Sequence, residues 1–193
     1  LSVQLQYASD MERAGRRAEH PSAVEIEEAT RDLTNLLWTR RPEHDRFLQF
    51  RVGLGTLPSR NTVELPAANN TKPALWRELT DVVERFSLID RVPVVADLRS
   101  VGNIGVAGPQ QGSLPVAINV IAQLASLHSP AELVVAAVVG ERAEMWDWLK
   151  WIPHTTSEFS PVEAGHLAAN SAEANALVAA IEEVVEMRTI ERD

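Results

Sequence analysis

The chain has 193 residues, 45% of them hydrophobic and 23% charged, which is enough apolar material for a packed core and too much for wholesale disorder. It contains no cysteine, which excludes disulfides, thiolate zinc sites and cysteine nucleophiles. The formal net charge of −9 arises entirely after residue 60, where nine basic side chains face eighteen acidic ones, and such a surface repels a phosphate backbone.

Residues 1–20 read as a solvated helix, with a thin stripe of Leu5, Ala8 and Met11 and a cluster of Arg13, Arg16 and Arg17. The chain begins with Leu rather than Met and is expected to be a piece of a longer protein; its first residues do not have the pattern of a signal peptide. Pro21 interrupts the helix. Ser22 and Glu25 then form a capping box, and Ile26, Ala29, Leu33, Leu36 and Leu37 recur at helical spacing. This second helix should end near Arg41, because Pro42 disfavours helical geometry just before it.

Phe47–Val52 reads as a strand, Gly53 and Gly55 permit a bend, and residues 58–61 form a turn, so that Thr62–Leu65 return as the partner of a small hairpin. Pro73 opens a helix with Leu75, Leu79, Val82, Val83 and Phe86 on one face. Val92–Leu98 and Asn103–Ala107 are strand candidates, and Gly112–His128 a mostly buried helix carrying Val116, Ile118, Val120, Ile121 and Leu124. Glu132–Val139 has the continuous apolar character of a parallel-sheet strand, and its apolar run is far too short to span a bilayer. A short Trp-rich helix follows at Met145–Leu149. Ser171 caps a last helix bearing Leu177, Ala180, Ile181, Val184 and Val185. Alternating strands and helices predict a layered α/β domain with a mainly parallel sheet.

Three features invite a functional reading. Gly105 to Leu114 joins a strand candidate to a helix through a glycine-containing turn, the place where a phosphate-binding loop sits. Against G-x-x-x-x-G-K-[ST] only Gly112 survives: Ala107 replaces the first glycine, Ser113 the lysine and Leu114 the magnesium-binding hydroxyl, with Gly108 and Gln111 between. The β and γ phosphates then lack their point cation and Mg²⁺ an oxygen ligand, so an ordinary βα turn outweighs a nucleotide site. Glu141, beyond the apolar strand, reads as a loop carboxylate rather than a metal-associated one. Trp146, Trp148 and Trp151 put three of the five tryptophans into six residues. On an α-helix the first two do not share a face, and the cluster divides evenly between core packing and a docking surface. The five histidines are dispersed in sequence and read as capping or surface groups, with no metal set among them.

Several strings together resemble one family. They are Leu37-Trp38-Thr39-Arg40-Arg41-Pro42, Phe47 to Pro58, Val92 to Leu98, Gly105 to Pro109, Leu124 to Leu133 and, most specifically, Trp146 to His154. Their order and spacing resemble the cytoplasmic segment of EccC/EssC proteins, the FtsK/SpoIIIE-like ATPases of type VII secretion, between the transmembrane helices and the first ATPase domain. The resemblance implies a P-loop-NTPase-like α/β domain over residues 42–193, degenerate at its loop, after a helical stalk extension over residues 1–41. It implies attachment at the cytoplasmic face of a bacterial membrane. The implied partners are the other domains of the same motor, membrane components of the secretion complex and a hexameric assembly. No nucleic acid is expected. The implied function is non-catalytic coupling, with no cofactor. The alternative is a nucleotide-binding ATPase domain using ATP and Mg²⁺ in its own right, and a weaker one is a DNA translocase domain.

Overall fold

The computed structural model describes residues 1–65, 72–140 and 143–190. In chain order they form α1 (Ser2–Glu19), α2 (Ala23–Asp32), β1 (Gln49–Pro58), α3 (Pro73–Arg85), β2 (Leu88–Asp97), α4 (Leu98–Val101) and α5 (Gln110–Leu127). There follow β3 (Ala137–Val138), α6 (Ala143–Trp146), a 3₁₀ turn at Asp147–Trp151, β4 (Leu167–Ala168) and α7 (Ser171–Ile190). The chain is mixed α/β, and its described strands make two two-stranded sheets, one antiparallel and one parallel. It divides into two compact units, Leu1–Glu28 with Leu48–Gln123, and Ala29–Phe47 with Leu124–Asp193.

The first unit is organised on β1 and β2, which pair antiparallel with Phe50 opposite Ala96, Leu54 opposite Pro93 and Leu57 opposite Ile89. Phe50, Ile89 and Val92 are fully buried. The register slips between Arg51 and Gly53 and again between Gly55 and Leu57. Gly55 is required by close approach: a Cβ there would lie 2.8 Å from Cγ2 of Val94. Gly55→Ala should therefore cost about 1–2 kcal/mol by local overpacking, read as a lower urea midpoint.

The arginine cluster of α1 is not solvated as the sequence suggested. Arg13 Nε donates to the Asp90 carbonyl at 3.0 Å, and Arg17 Nη2 donates to that of Arg91 at 2.9 Å. Arg16 is buried, donating to the Pro58 carbonyl at 2.6 Å and pairing with Glu12 at 2.5 Å. Glu12 also accepts from Ser59 Oγ at 2.9 Å, the Arg60 N–H at 2.8 Å and Asn61 Nδ2 at 2.8 Å. Burial pushes this carboxyl up, but the donors and the Arg16 charge outweigh it and hold it below the usual range.

That network also corrects the expected hairpin. Thr62–Leu65 form no strand, because the chain leaving β1 is anchored on Glu12, and β2 takes the place beside β1. The expected strand at Asn103–Ala107 is irregular and exposed; α4, capped by Asp97 through the Arg99 N–H at 2.9 Å, ends at Gly102 with φ +73°. The capping box is present, with the Ser22 N–H donating to Glu25 at 2.7 Å and the Glu25 N–H to Ser22 Oγ at 3.3 Å.

Gln123 on α5 is 2% exposed and closes the outer edge of β1. Its Oε1 accepts from the Arg51 N–H at 2.9 Å, and its Nε2 donates to the Arg51 carbonyl at 2.8 Å. One side chain thus supplies both partners that a neighbouring strand would offer.

In the second unit, the helix expected to reach Arg41 has already ended at Asp32. Leu33 turns left-handed with φ +50°, and the Thr34 N–H reaches back to the Ala29 carbonyl at 3.1 Å, closing the helix five residues earlier in its own chain. The following segment then pairs by backbone, Trp38 N–H to Ser126 O and Arg40 N–H to Leu127 O, both at 2.9 Å. Of the apolar run 132–139 only Ala137–Val138 pair as a strand, parallel to Leu167–Ala168. The preceding donors are engaged elsewhere: the Glu132 and Leu133 N–H groups bond Ser129 O, and the Val135 N–H bonds His154 O at 3.0 Å. Helix α7 is capped by Asn170 rather than Ser171, the Glu173 N–H donating to Asn170 Oδ1 at 3.0 Å, and buries Leu177 and Val184.

Candidate functional site

The turn at 105–114 belongs to the first unit. Gly105, Ala107, Gly108, Gln111 and Gly112 are exposed, while Ser113 and Leu114 are half-buried. Helix α5 starts at Gln110, two residues before the glycine that aligns with the phosphate-loop pattern. The N–H groups of Gly112 and Ser113 consequently donate to the Pro109 carbonyl, at 2.9 and 3.0 Å, and the Ser113 hydroxyl donates to the same carbonyl at 3.2 Å. Gly108 has φ +147°, which favours glycine. An open hollow beside it is lined by Pro109, Gln110, Gln111, Leu114 and Pro115, with no basic side chain. Glu141 lies outside the described residues.

The tryptophans belong to the second unit. The switch from α6 to a 3₁₀ turn at Asp147 changes the angle between successive residues, and Trp146 and Trp148 pack with ring centroids 6.4 Å apart instead of lying on separate faces. Leu149 is buried between them and Trp151 in sequence, whereas Trp151 is 79% exposed. Lys150 pairs with Asp147 at 2.6 Å and lies 5.6 Å from the Trp151 ring centroid, a cation–π distance.

The histidines contradict their sequence reading as capping or surface groups, since His20, His128 and His154 are buried. In the second unit, a ring nitrogen of His154, Nε2, lies 2.8 Å from the His128 carbonyl, and Nδ1 of His128 lies 2.8 Å from the Leu124 carbonyl. Both nitrogens face acceptors and so carry protons. Phe47 stands edge-on to His128 at 5.1 Å. Burial pushes His128 down, the Leu124 carbonyl pulls it up, and Arg40, His154 and His44 push it down further; burial also pushes His154 down. Arg40 is buried as well and is pulled down to about 10, first by burial and then by Arg46, so it stays charged at neutral pH. These groups hold two neutral imidazoles in place. Among the described residues no group of His, Asp or Glu has the arrangement of a metal site.

Ser160 Oγ meets His166 Nε2 at 2.7 Å, a pairing that dispersed sequence positions did not reveal. The same Oγ accepts the Val162 N–H at 3.1 Å, which makes it the pivot of a loop turn. The His128–His154 pair had a faint signal in the sequence, because both histidines lie in strings that carry the family resemblance.

No family model matches the chain. Comparison with known proteins finds 35% identity over 122 residues to the ESX-4 secretion system protein EccC4 of Mycobacterium tuberculosis strain H37Rv, covering 61% of this chain and 10% of that protein. The chain is similar to EccC-type ESX secretion proteins over a large part of its length. An EccC of Thermomonospora curvata is 30% identical over 125 residues, 62% of this chain and 9% of its own. The Bacillus subtilis ESX secretion protein YukB is 23% identical over 198 aligned positions, 98% of this chain and 13% of its own. The chain therefore spans about a tenth of the length of the EccC relatives it matches. Among the described residues no helix is long and apolar enough to cross a membrane.

Proposed function

We propose that the chain is a non-catalytic coupling module of a membrane-anchored FtsK/SpoIIIE-type motor ATPase in type VII secretion. The observation that carries this reading is the engagement of the Gly112 and Ser113 N–H groups and the Ser113 hydroxyl with the Pro109 carbonyl. A phosphate would find those donors already taken and no lysine to replace them. The kinship with EccC proteins supplies the setting, and the parallel pairing of β3 with β4 is consistent with a P-loop-like layered relative.

In this proposal residues 1–41 continue a stalk, and residues 42–193 are the degenerate ATPase-like part at the cytoplasmic face of the membrane. The module relays the nucleotide state of the other motor domains to membrane components within a hexameric assembly, and Trp146, Trp148 and Trp151 form the docking segment. Nucleic acid has no part in it, given the excess of acidic side chains after residue 60.

Calorimetric titration with Mg-ATP, followed by phosphate release on the same sample, tests the loop. The expected result is neither heat nor phosphate; release of phosphate would overturn the non-catalytic reading. In a secreting strain, Trp151→Ala should reduce export at least several-fold, more than Ser113→Ala, with protein levels unchanged. Trp148→Ala should also exceed Ser113→Ala, although its partly buried ring adds a stability cost. Loss of export by Ser113→Ala alone, in a stable protein, goes against coupling through the tryptophans.

A further inference from the structure

Helix α7 has two apolar faces and uses one. Leu177 and Val184, seven residues apart, are its buried positions. Ala174, Val178, Ile181 and Val185 recur at spacings of four, three and four, the rhythm of a coiled-coil seam. The three larger side chains of that seam are 47%, 37% and 58% exposed, respectively. At 3.6 residues per turn the seam lies beside the buried face, and Glu182 and Glu186 line its solvent side. Both glutamates are exposed, and Arg188 is the single basic residue of the helix.

We propose that this seam docks an amphipathic helix with a basic edge, contributed by a protein partner. The apolar rhythm selects a helix, because knobs at four-three spacing fit the holes of a facing helix. The glutamates select its charge. A second copy would bring an edge of the same sign, since the helix carries Glu173, Glu182, Glu183 and Glu186 against one arginine, and an anionic membrane surface would meet the same repulsion. The inference is independent of the coupling reading and of the tryptophans.

The test uses the whole chain and a synthetic 21-residue peptide with leucine at heptad positions a and d and lysine at e and g. Its counterpart has glutamate in place of lysine. The lysine peptide should bind at least ten-fold more tightly than the glutamate peptide. The exposed changes Val178→Ser with Ile181→Ser and Val185→Ser should weaken it at least ten-fold while leaving the circular dichroism unchanged. Glu182→Gln with Glu186→Gln should weaken it about three- to ten-fold and flatten its salt dependence. Equal binding of the lysine peptide to the serine variant, which signals attraction to acidic surface in general, overturns the proposal. So does micromolar self-association of the chain that the serine variant abolishes, since a second copy is then the occupant.

Discussion

Gln123→Met is expected to lower the unfolding free energy by about 2–4 kcal/mol, although methionine nearly matches glutamine in volume. The loss comes from the backbone of Arg51, whose N–H and carbonyl are bonded at 2.9 and 2.8 Å by the one amide of Gln123. With Gln123 only 2% exposed, water has no easy route to replace it. Each orphaned buried backbone group costs on the order of 1–3 kcal/mol. Hydrogen exchange gives the site-specific reading: the Arg51 amide should lose protection well beyond its neighbours on β1. Gln123→Glu keeps an acceptor for the N–H but loses the donor for the carbonyl, and should fall between the wild type and Gln123→Met. A methionine variant within about 0.5 kcal/mol of wild type would mean that the edge is satisfied in another way.

The second large effect is at the buried histidines. His154→Ala should cost about 2–4 kcal/mol, from the cavity and from the loss of the bond that the His154 ring makes to the His128 carbonyl. Acid should act on the same place. Burial holds His128 and His154 below the ordinary imidazole value, so the unfolded chain takes up their protons first as the pH falls. Their contribution is present above about pH 6.5 and is lost as the pH falls from there through the folded-state values. Thermal melts at pH 7.5, 6.5 and 5.5 should show a declining midpoint. Carboxylates such as Glu12, held below their usual range, act only at lower pH, below about 4.5, which separates the two windows. His154→Gln retains a donor for the His128 carbonyl but does not titrate, so it should recover part of the stability and flatten the slope between pH 6.5 and 5.5. An unchanged slope in both His154→Gln and a His128→Gln variant would assign the acid sensitivity to other groups.

The residues that were easiest to read are those whose signals are local. The capping box at Ser22 and Glu25, the helix opened by Pro73 and the last helix with Leu177, Ala180, Ile181, Val184 and Val185 depend on neighbours within a few turns, and their spacing suffices. A single glutamine among Val116, Ile118, Val120, Ile121 and Leu124 was a visible anomaly, but its partner is Arg51, 72 residues earlier. The candidate loop was legible in what it lacks, a lysine and a Ser or Thr, because side-chain chemistry is written residue by residue. That its donors are turned onto Pro109 depends on where α5 begins, and the beginning of a helix is set by backbone geometry that many sequences share.

The sequence by itself determined the composition limits, the main helices, the absence of the phosphate-loop pattern at residues 107–114 and the similarity to EccC proteins. Only the tertiary structure decided that β1 pairs with β2 rather than with residues 62–65, since strand pairing is a contest between distant segments and Glu12 holds one of them elsewhere. It also decided that Arg16, Gln123, His128 and His154 are interior groups. Sequence patterns assign polar side chains to the surface by default, and a polar side chain goes inside when distant backbone atoms need its hydrogen bonds more than water does.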